Sequence, residues 1–157
     1  MSTSDSLARR RAASVVHGDY RLDNCMVTAD GEVVAVLDWE ICTLGDPLAD
    51  LGLLMVYWTG PDDTPSAWEG SATTAPGFAG RDELAARYAQ ASGRDISELG
   101  FYVAFAYWKL ACIIEGVYAR YKGGAMGHRG GEGDFDFFGE QVIALTGSAR
   151  QAIERLG

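Results

Sequence analysis

The chain has 157 residues, a formal net charge of −9 at pH 7 and an apolar content of 48%, values that indicate one globular domain. A surface this acidic disfavours nucleic-acid binding, which requires a basic surface to displace counterions from the phosphates. Cys25, Cys42 and Cys112 are odd in number and lack Cys-x-x-Cys spacing, so neither disulfides nor a zinc site is predicted and the cytoplasm is the expected setting.

Two segments are candidates for a membrane span and for a secretory signal. The most apolar stretch, residues 102–118, contains Lys109 and Glu115 and is predicted to be too short and too polar to span a bilayer. Residues 1–14 form a polar tail that lacks the apolar stretch of a secretory signal, and we expect this tail to be disordered. Residues 15–157 are predicted to form one domain with no membrane association.

Short strands are predicted directly after the tail. Val15-Val16 indicates a strand entry, and the runs 25–28 and 32–37 are β-rich. Ala29-Asp30-Gly31 lies between the two runs and is typical of the Asp-Gly turn that joins a hairpin. Because the second run is almost continuously apolar, we expect it to be buried on both sides.

Helices are predicted from residue 46 onward. Their ranges are 48–58, 81–92, 96–121 and 135–156, with loops over 60–80 and 123–133. Asp46 is predicted to cap the first helix and Pro47 to occupy its first position. The third helix is apolar on most faces, and we expect its aromatic residues Phe101, Phe105 and Trp108 to lie in the core. One hairpin followed by several helices indicates an α+β fold.

A polar cluster lies where the hairpin meets the preceding strand. The segment HGDYRLDN, residues 17–24, follows that strand, and Asp38 ends the second hairpin strand. A hairpin returns the chain to its starting end, so we expect Asn24 and Asp38 to lie side by side, with Asp19 slightly apart. Carboxylate and amide oxygens suit Mg²⁺, and a separate carboxylate can accept a proton from a hydroxyl. The alternative is an ordinary polar turn, which Asp and Asn also favour.

The spacing His17-x-Asp19-x-x-x-x-Asn24, followed by a strand ending in Asp38, resembles the catalytic loop and metal-binding Asp of the protein-kinase-like fold. HGDYRLDN and VLDWE resemble the aminoglycoside phosphotransferase (choline kinase-like) branch. TLGDPLADLGLL and FYVAFAYWKLACIIEGVYARY extend the resemblance, which is closest to the phosphotransferase domains associated with acyl-CoA dehydrogenases. It implies a mostly helical C-terminal lobe in which a small β-hairpin carries the site.

The resemblance also implies the roles of individual residues. Asp19 is implied as the catalytic base, and Arg21 as a cation that touches the transferred phosphate. Asn24 and Asp38 are implied as Mg²⁺ ligands, with ATP as the phosphate donor. An exposed loop arginine is equally an ordinary solvated residue, so the role of Arg21 stays open.

Two further residues are implied as structural support. His17 matches the structural histidine of the loop, and Asp50 matches an acidic residue that hydrogen-bonds the backbone of the loop. The alternative for Asp50 is a favourable interaction with the dipole of the helix in whose first turn it lies.

The resemblance covers one of the two lobes of a kinase-like enzyme. The other lobe supplies a glycine-rich turn and a strand lysine that hold ATP, whereas only 14 polar residues precede the cluster here. We therefore expect the isolated chain to be inactive and to expose apolar surface on residues 15–40. A homodimer, or an N-terminal lobe supplied in trans, would cover that surface. A fragment, a split-gene product and a decayed remnant all remain open as origins.

Two functions follow from these predictions. The first is transfer of the ATP γ-phosphate to a hydroxyl of a small molecule. The acidic charge suits an aminoglycoside-like acceptor, whereas the resemblance favours a hydroxyacyl-CoA-like acceptor that needs a basic patch. The basic candidates are Arg81, Arg87, Lys109, Arg120, Lys122 and Arg129. The second function is a non-catalytic binding module derived from such an enzyme.

Overall fold

Four short strands and four α-helices follow one another in the computed structural model, which describes residues 13–60, 71–123 and 135–157. The strands are β1 (Ser14–Val16), β2 (Cys25–Val27), β3 (Val33–Val36) and β4 (Thr43–Gly45). The helices are α1 (Leu48–Tyr57), α2 (Arg81–Ser92), α3 (Leu99–Lys122) and α4 (Asp136–Glu154). The predicted α+β class is confirmed.

The strands form two separate antiparallel pairs. The predicted hairpin is confirmed as β2 paired with β3, with Cys25 opposite Val36 and an irregularity after Met26. The second pair, β1 with β4, was not predicted because β4 carries no local strand pattern. β1 begins at Ser14, so the end of the predicted tail belongs to the sheet; residues 1–12 lie outside the described residues.

The prediction that the run 32–37 is buried on both sides is wrong. Val33 is 53% exposed, Val34 61% and Leu37 47%, because a two-stranded sheet covers only the edge that it pairs and neither of its faces. The expected apolar surface on residues 15–40 is present. Its large apolar members are Val15, Met26, Val27, Val33, Val34, Leu37 and Trp39.

The core is built around α1, which packs against α3, while α3 packs in turn against α4. One buried cluster joins Leu53 of α1 to Ile114 of α3 and Leu145 of α4. A second cluster joins Leu48 of α1 to Ala85 of α2. The predicted ranges of these helices agree with the observed ones to within about three residues. Parts of the two predicted loops, 61–70 and 124–134, lie outside the described residues.

The prediction that the aromatic residues of α3 lie in the core is also wrong. Phe101 is 50% exposed, Phe105 40% and Trp108 56%. They form a ridge on one face of α3, here called the aromatic ridge, and the rings of Phe105 and Trp108 lie 5.9 Å apart. The buried face of α3 is instead lined by smaller side chains, Ala104, Ala106, Leu110, Ala111 and Ile114. Small residues allow the neighbouring helices to approach closely.

The apolar character of α3 extends beyond the predicted apolar range 102–118. At 24 residues and a mean hydropathy of 1.3, α3 meets the length and composition of a membrane span. The range 102–118 alone is predicted to be too short and too polar for one. Core helices meet the same criteria, and α3 packs against α1 and α4. The absence of membrane association therefore stays a prediction.

Gly52 shows that the backbones of α1 and α3 approach each other closely. A Cβ atom added at Gly52 would lie 2.6 Å from the carbonyl carbon of Tyr102, so Gly52→Ala must push the two helices apart. We expect a loss of about 1–3 kcal/mol in the free energy of unfolding, measured by urea denaturation.

The matched control is Gly147→Ala in α4, where an added Cβ meets no atom within 4 Å. This substitution should raise stability by about 0.5–1 kcal/mol, because alanine loses less backbone entropy than glycine in a helix. Equal stability of the Gly52→Ala variant and the wild type would contradict the close approach of α1 and α3.

Candidate active site

The start of α1 holds the loop that follows β1. Asp46 accepts a hydrogen bond from the backbone N–H of Leu48 at 2.9 Å and so caps the helix, as predicted. One turn later, the Asp50 carboxylate accepts bonds from the N–H of His17 at 2.7 Å and of Gly18 at 2.8 Å. These are the backbone contacts that the resemblance implies for Asp50. They fix the first residues of the loop to the most buried helix of the fold.

His17 ties the loop to the hairpin and is 1% exposed. Its Nδ1 accepts a bond from the N–H of Asp19 at 3.2 Å, and its Nε2 lies 2.7 Å from the carbonyl oxygen of Leu37. Because Nδ1 is an acceptor, the proton must lie on Nε2 and the ring is neutral. His17 is therefore a hydrogen-bonded structural residue, and its donor reaches the residue just before Asp38.

The two ends of the hairpin lie side by side, as predicted from its geometry. The N–H of Leu37 donates to the carbonyl oxygen of Asn24 at 2.8 Å, which fixes the backbone next to Asp38. Asp38 itself has φ 66° and is the only non-glycine residue with positive φ in the described ranges. Aspartate tolerates this left-handed conformation better than most residues. Such local strain is often found at functional sites.

Asp19 and Asn24 are in direct contact, which corrects the expectation that Asp19 lies apart. The amide nitrogen of Asn24 donates to the backbone oxygen of Asp19 at 2.8 Å and to its carboxylate Oδ2 at 3.2 Å. Asn24 is 8% exposed, so this amide holds the Asp19 carboxylate in a defined orientation. Because its nitrogen donates to Asp19, the oxygen of the same amide is the atom with which Asn24 could bind a cation.

The donor set fits a weakly held Mg²⁺ better than a metal caged by protein. The oxygen of Asn24 and the carboxylate of Asp38 are the two protein ligands that the sequence predicts. Mg²⁺ commonly takes one or two protein oxygens and fills its remaining positions with water and phosphate. In keeping with this, the described part of the chain contains no group of three or more His, Cys, Asp or Glu side chains placed to hold a metal.

The comparisons with known proteins agree with this geometry. A model of the phosphotransferase enzyme family, APH, matches residues 4–102, a range that includes the loop, the hairpin and α1. The chain belongs to this family. The resemblance inferred from HGDYRLDN and VLDWE is thereby confirmed, and the family generally uses ATP and Mg²⁺.

Individual relatives extend the match along the chain. Acyl-CoA dehydrogenase family member 11 of Homo sapiens is 35% identical over 138 residues, which are 85% of this chain and 17% of that protein. Acyl-CoA dehydrogenase family member 10 of Mus musculus is 36% identical over 118 residues, 73% of this chain and 11% of that protein. The chain thus spans less than a fifth of the length of these two relatives.

A solved structure supports the same fold. A crystal structure from Ralstonia eutropha, provisionally assigned as an aminoglycoside phosphotransferase, superposes with a TM-score of 0.68 at 30% identity. The match covers 90% of this chain and 43% of that one. The small sheets and the four helices therefore have the arrangement of a kinase-like phosphotransferase.

Sequence reasoning on the phosphotransferase loop missed a contact that comes from α3. The Nζ of Lys109 donates a hydrogen bond to the carbonyl oxygen of Gly18, 91 residues away along the chain. Gly18 has φ +88°, and an added Cβ would lie 3.1 Å from Ile41, so the loop is closely enclosed at this point. No local pattern could reveal Lys109, because the contact depends on how α3 packs beside the loop.

The basic residues proposed as a patch make separate contacts. Arg81 donates to the backbone of Met55, and Arg87 pairs with Glu83 within α2. Lys122 lies over the ring of Tyr118 in α3. Arg129 lies outside the described residues. These contacts give no support to a shared basic patch.

Replacing Asp50 tests whether it supports the loop or only favours the helix dipole. In Asp50→Asn the amide oxygen can still accept a hydrogen bond from one of the two backbone N–H groups. The amide NH₂ group must then face the second N–H, which loses its acceptor. We expect a loss of about 1–3 kcal/mol in the free energy of unfolding, the cost of an unsatisfied buried donor.

The control is Asp82→Asn, which changes an exposed carboxylate in the first turn of α2. A dipole contribution alone is worth under about 1 kcal/mol. Equal losses for the two substitutions in thermal or urea unfolding would contradict the role of Asp50 as a support for the loop.

Proposed function

We propose that this chain carries the phosphoryl-transfer site of an ATP-dependent phosphotransferase that acts on a hydroxyl of a small molecule. The observation that carries this proposal is the contact between Asp19 and Asn24 at the end of a hairpin that also delivers Asp38. An ordinary polar turn does not require a buried amide such as Asn24, whose nitrogen lies 3.2 Å from the Asp19 carboxylate and orients it. Membership of the phosphotransferase family supports the reaction class.

Each residue has a distinct task in this proposal. Asp19 accepts a hydrogen bond from the acceptor hydroxyl and takes its proton as the hydroxyl attacks. Asn24 holds the Asp19 carboxylate in orientation through its amide nitrogen. Asn24 and Asp38 would hold Mg²⁺, which supplies positive charge to neutralise the phosphate oxygens when it is bound. Asp50 and Lys109 fix the backbone on either side of the Gly18 peptide.

The aromatic ridge favours an acyl acceptor over an aminoglycoside. Exposed aromatic faces bind apolar chains, whereas a polycationic sugar requires clustered carboxylates. Lys109, which bonds the loop, directly follows Trp108 in α3, so one end of the ridge lies one residue along the helix from a contact of the proposed site. We therefore propose a hydroxyacyl-type acceptor that is held mainly by its acyl chain, because the contacts of the described basic residues give no support to a shared patch for CoA phosphates. Relatives that are named as acyl-CoA dehydrogenase family members are in keeping with this acceptor.

The decisive experiment compares Asp19→Asn with the wild type in the natural gene product. Loss of the base should lower the rate of phosphate transfer by about 10²–10⁴-fold, measured by ADP release in the presence of hydroxyacyl-CoA, Mg²⁺ and ATP. Asp30→Asn is the control, because Asp30 is an exposed carboxylate in the turn of the hairpin, at the end away from the site. An unchanged rate in Asp19→Asn would refute the proposed base. Binding of Mg²⁺·ATP without transfer by the wild type would instead support the non-catalytic module.

The acyl proposal predicts a dependence on the length of the acyl chain. Trp108→Ala should raise KM for a long-chain hydroxyacyl-CoA by about tenfold, the effect of losing some 1.4 kcal/mol of apolar contact. KM for a short-chain acceptor should change little. Ile143→Ala, a change at a 75% exposed residue of α4, is the control. A uniform effect of Trp108→Ala on both acceptors would contradict the assignment of the ridge.

A further inference from the structure

Among the described residues, the guanidinium of Arg21 has two carboxylates and one aromatic ring beside it, and the carboxylates hold it loosely. Its Nε lies 3.6 Å from Oδ2 of Asp19, and its Nη1 lies 3.4 Å from Oδ2 of Asp23. Charge-assisted hydrogen bonds between such groups are shorter, about 2.7–2.9 Å. The side chain of Asp23 is 77% exposed, so water screens its attraction. The carboxylates therefore attract the guanidinium without fixing its orientation.

The third neighbour is Tyr57, the last residue of α1. Cζ of Arg21 lies 5.2 Å from the centroid of the Tyr57 ring, which is within the range of a cation–π contact. Burial, followed by the negative charge of Asp19, raises the pKa of the Tyr57 phenol, while the charge of Arg21 and a hydrogen bond between the two side chains oppose this rise only in part, so the phenol stays neutral at physiological pH. Tyr57 belongs to the same rigid helix as Asp50, which supports the loop from the other end of α1.

Arg21 also retains a donor that is not used. Its Nε atom is buried, and none of the described residues accepts a hydrogen bond from it. A buried N–H without a partner is costly and is often matched by a ligand. A small rotation of the guanidinium would turn this donor towards an anion beside Asp19, which suits a transferred phosphoryl group.

We infer that Tyr57 is a positioning residue that holds the guanidinium of Arg21 on its ring and away from a bidentate pair with Asp19. This inference rests on the proposed function. Without the ring, Arg21 is free to close the gap of 3.6 Å and bind both oxygens of the Asp19 carboxylate. That pair would occupy the acceptor atoms that the substrate hydroxyl requires and would remove the cation that faces the phosphate. Tyr57 therefore keeps a base and a cation beside each other without letting them neutralise one another.

The test compares Tyr57→Leu with Tyr57→Phe, because phenylalanine keeps the aromatic face and leucine does not. In the natural gene product, Tyr57→Leu should lower kcat by about three- to thirty-fold, the range of a partly desolvated cation–π contact. KM for ATP should stay within about twofold, since the binding of ATP does not depend on the proposed contact. Tyr57→Phe should restore most of kcat. A rise in KM with unchanged kcat, or equal losses in both variants, would overturn the inference.

A second measurement reports on Arg21 directly and does not need activity. In the 157-residue chain, the Nε–Hε NMR signal of Arg21 should be shifted by the ring current of Tyr57 and should exchange slowly with water. Tyr57→Phe should keep this signal, and Tyr57→Leu should move it towards that of Arg155, an exposed arginine directly after α4.

The two measurements separate the inference from the proposed function. If the wild-type protein transfers no phosphate, the proposed function fails, while the NMR signal still decides whether Tyr57 positions Arg21. An Arg21 signal that is the same in wild type and Tyr57→Leu would overturn the inference, whatever the activity. Retained native far-UV circular dichroism in both variants shows that the comparison is made between folded proteins.

Discussion

The Asp50 carboxylate accepts two hydrogen bonds from consecutive backbone N–H groups, those of His17 and Gly18, and much of the site depends on this contact. The next peptide then turns at Gly18, whose φ is positive. The bend that results places the N–H of Asp19 on the ring of His17. The other ring nitrogen of His17 then reaches the end of the hairpin. One carboxylate on a buried helix thus sets the direction of the loop, the tautomer of its histidine and the place of Asp38.

Local features of the fold could be predicted from the sequence because their causes are local. Ala29-Asp30-Gly31 forces a hairpin turn, and Asp46-Pro47 begins a helix wherever the rest of the chain lies. Exposure could not be predicted in the same way. The runs 32–37 and 101–108 have apolar patterns of a kind that buried elements also show, and a pattern does not reveal whether a second layer exists to cover it.

The chemistry of the candidate site was more predictable than its geometry. The spacing of Asp19, Asn24 and Asp38 indicated a phosphoryl-transfer loop, and the family match agrees with it. The direct bond between Asn24 and Asp19 could not be foreseen, because it depends on how a turn of five residues closes. Tyr57 and Lys109 were missed as neighbours of the loop for a different reason. They reach it from helices that are distant in sequence, and only the packing of α1 and α3 brings them there.

The backbone contact at Gly52 also has a mechanical consequence. Since the two helix backbones touch at this point, neither α1 nor α3 can slide or roll without displacing the other, and closely packed interiors transmit such displacements. Asp50 and Tyr57 belong to α1, and Lys109 and the aromatic ridge belong to α3. A molecule that pushes on the ridge would therefore move Asp50, Tyr57 and Lys109 together, so the ridge and the contacts that hold the loop are mechanically coupled.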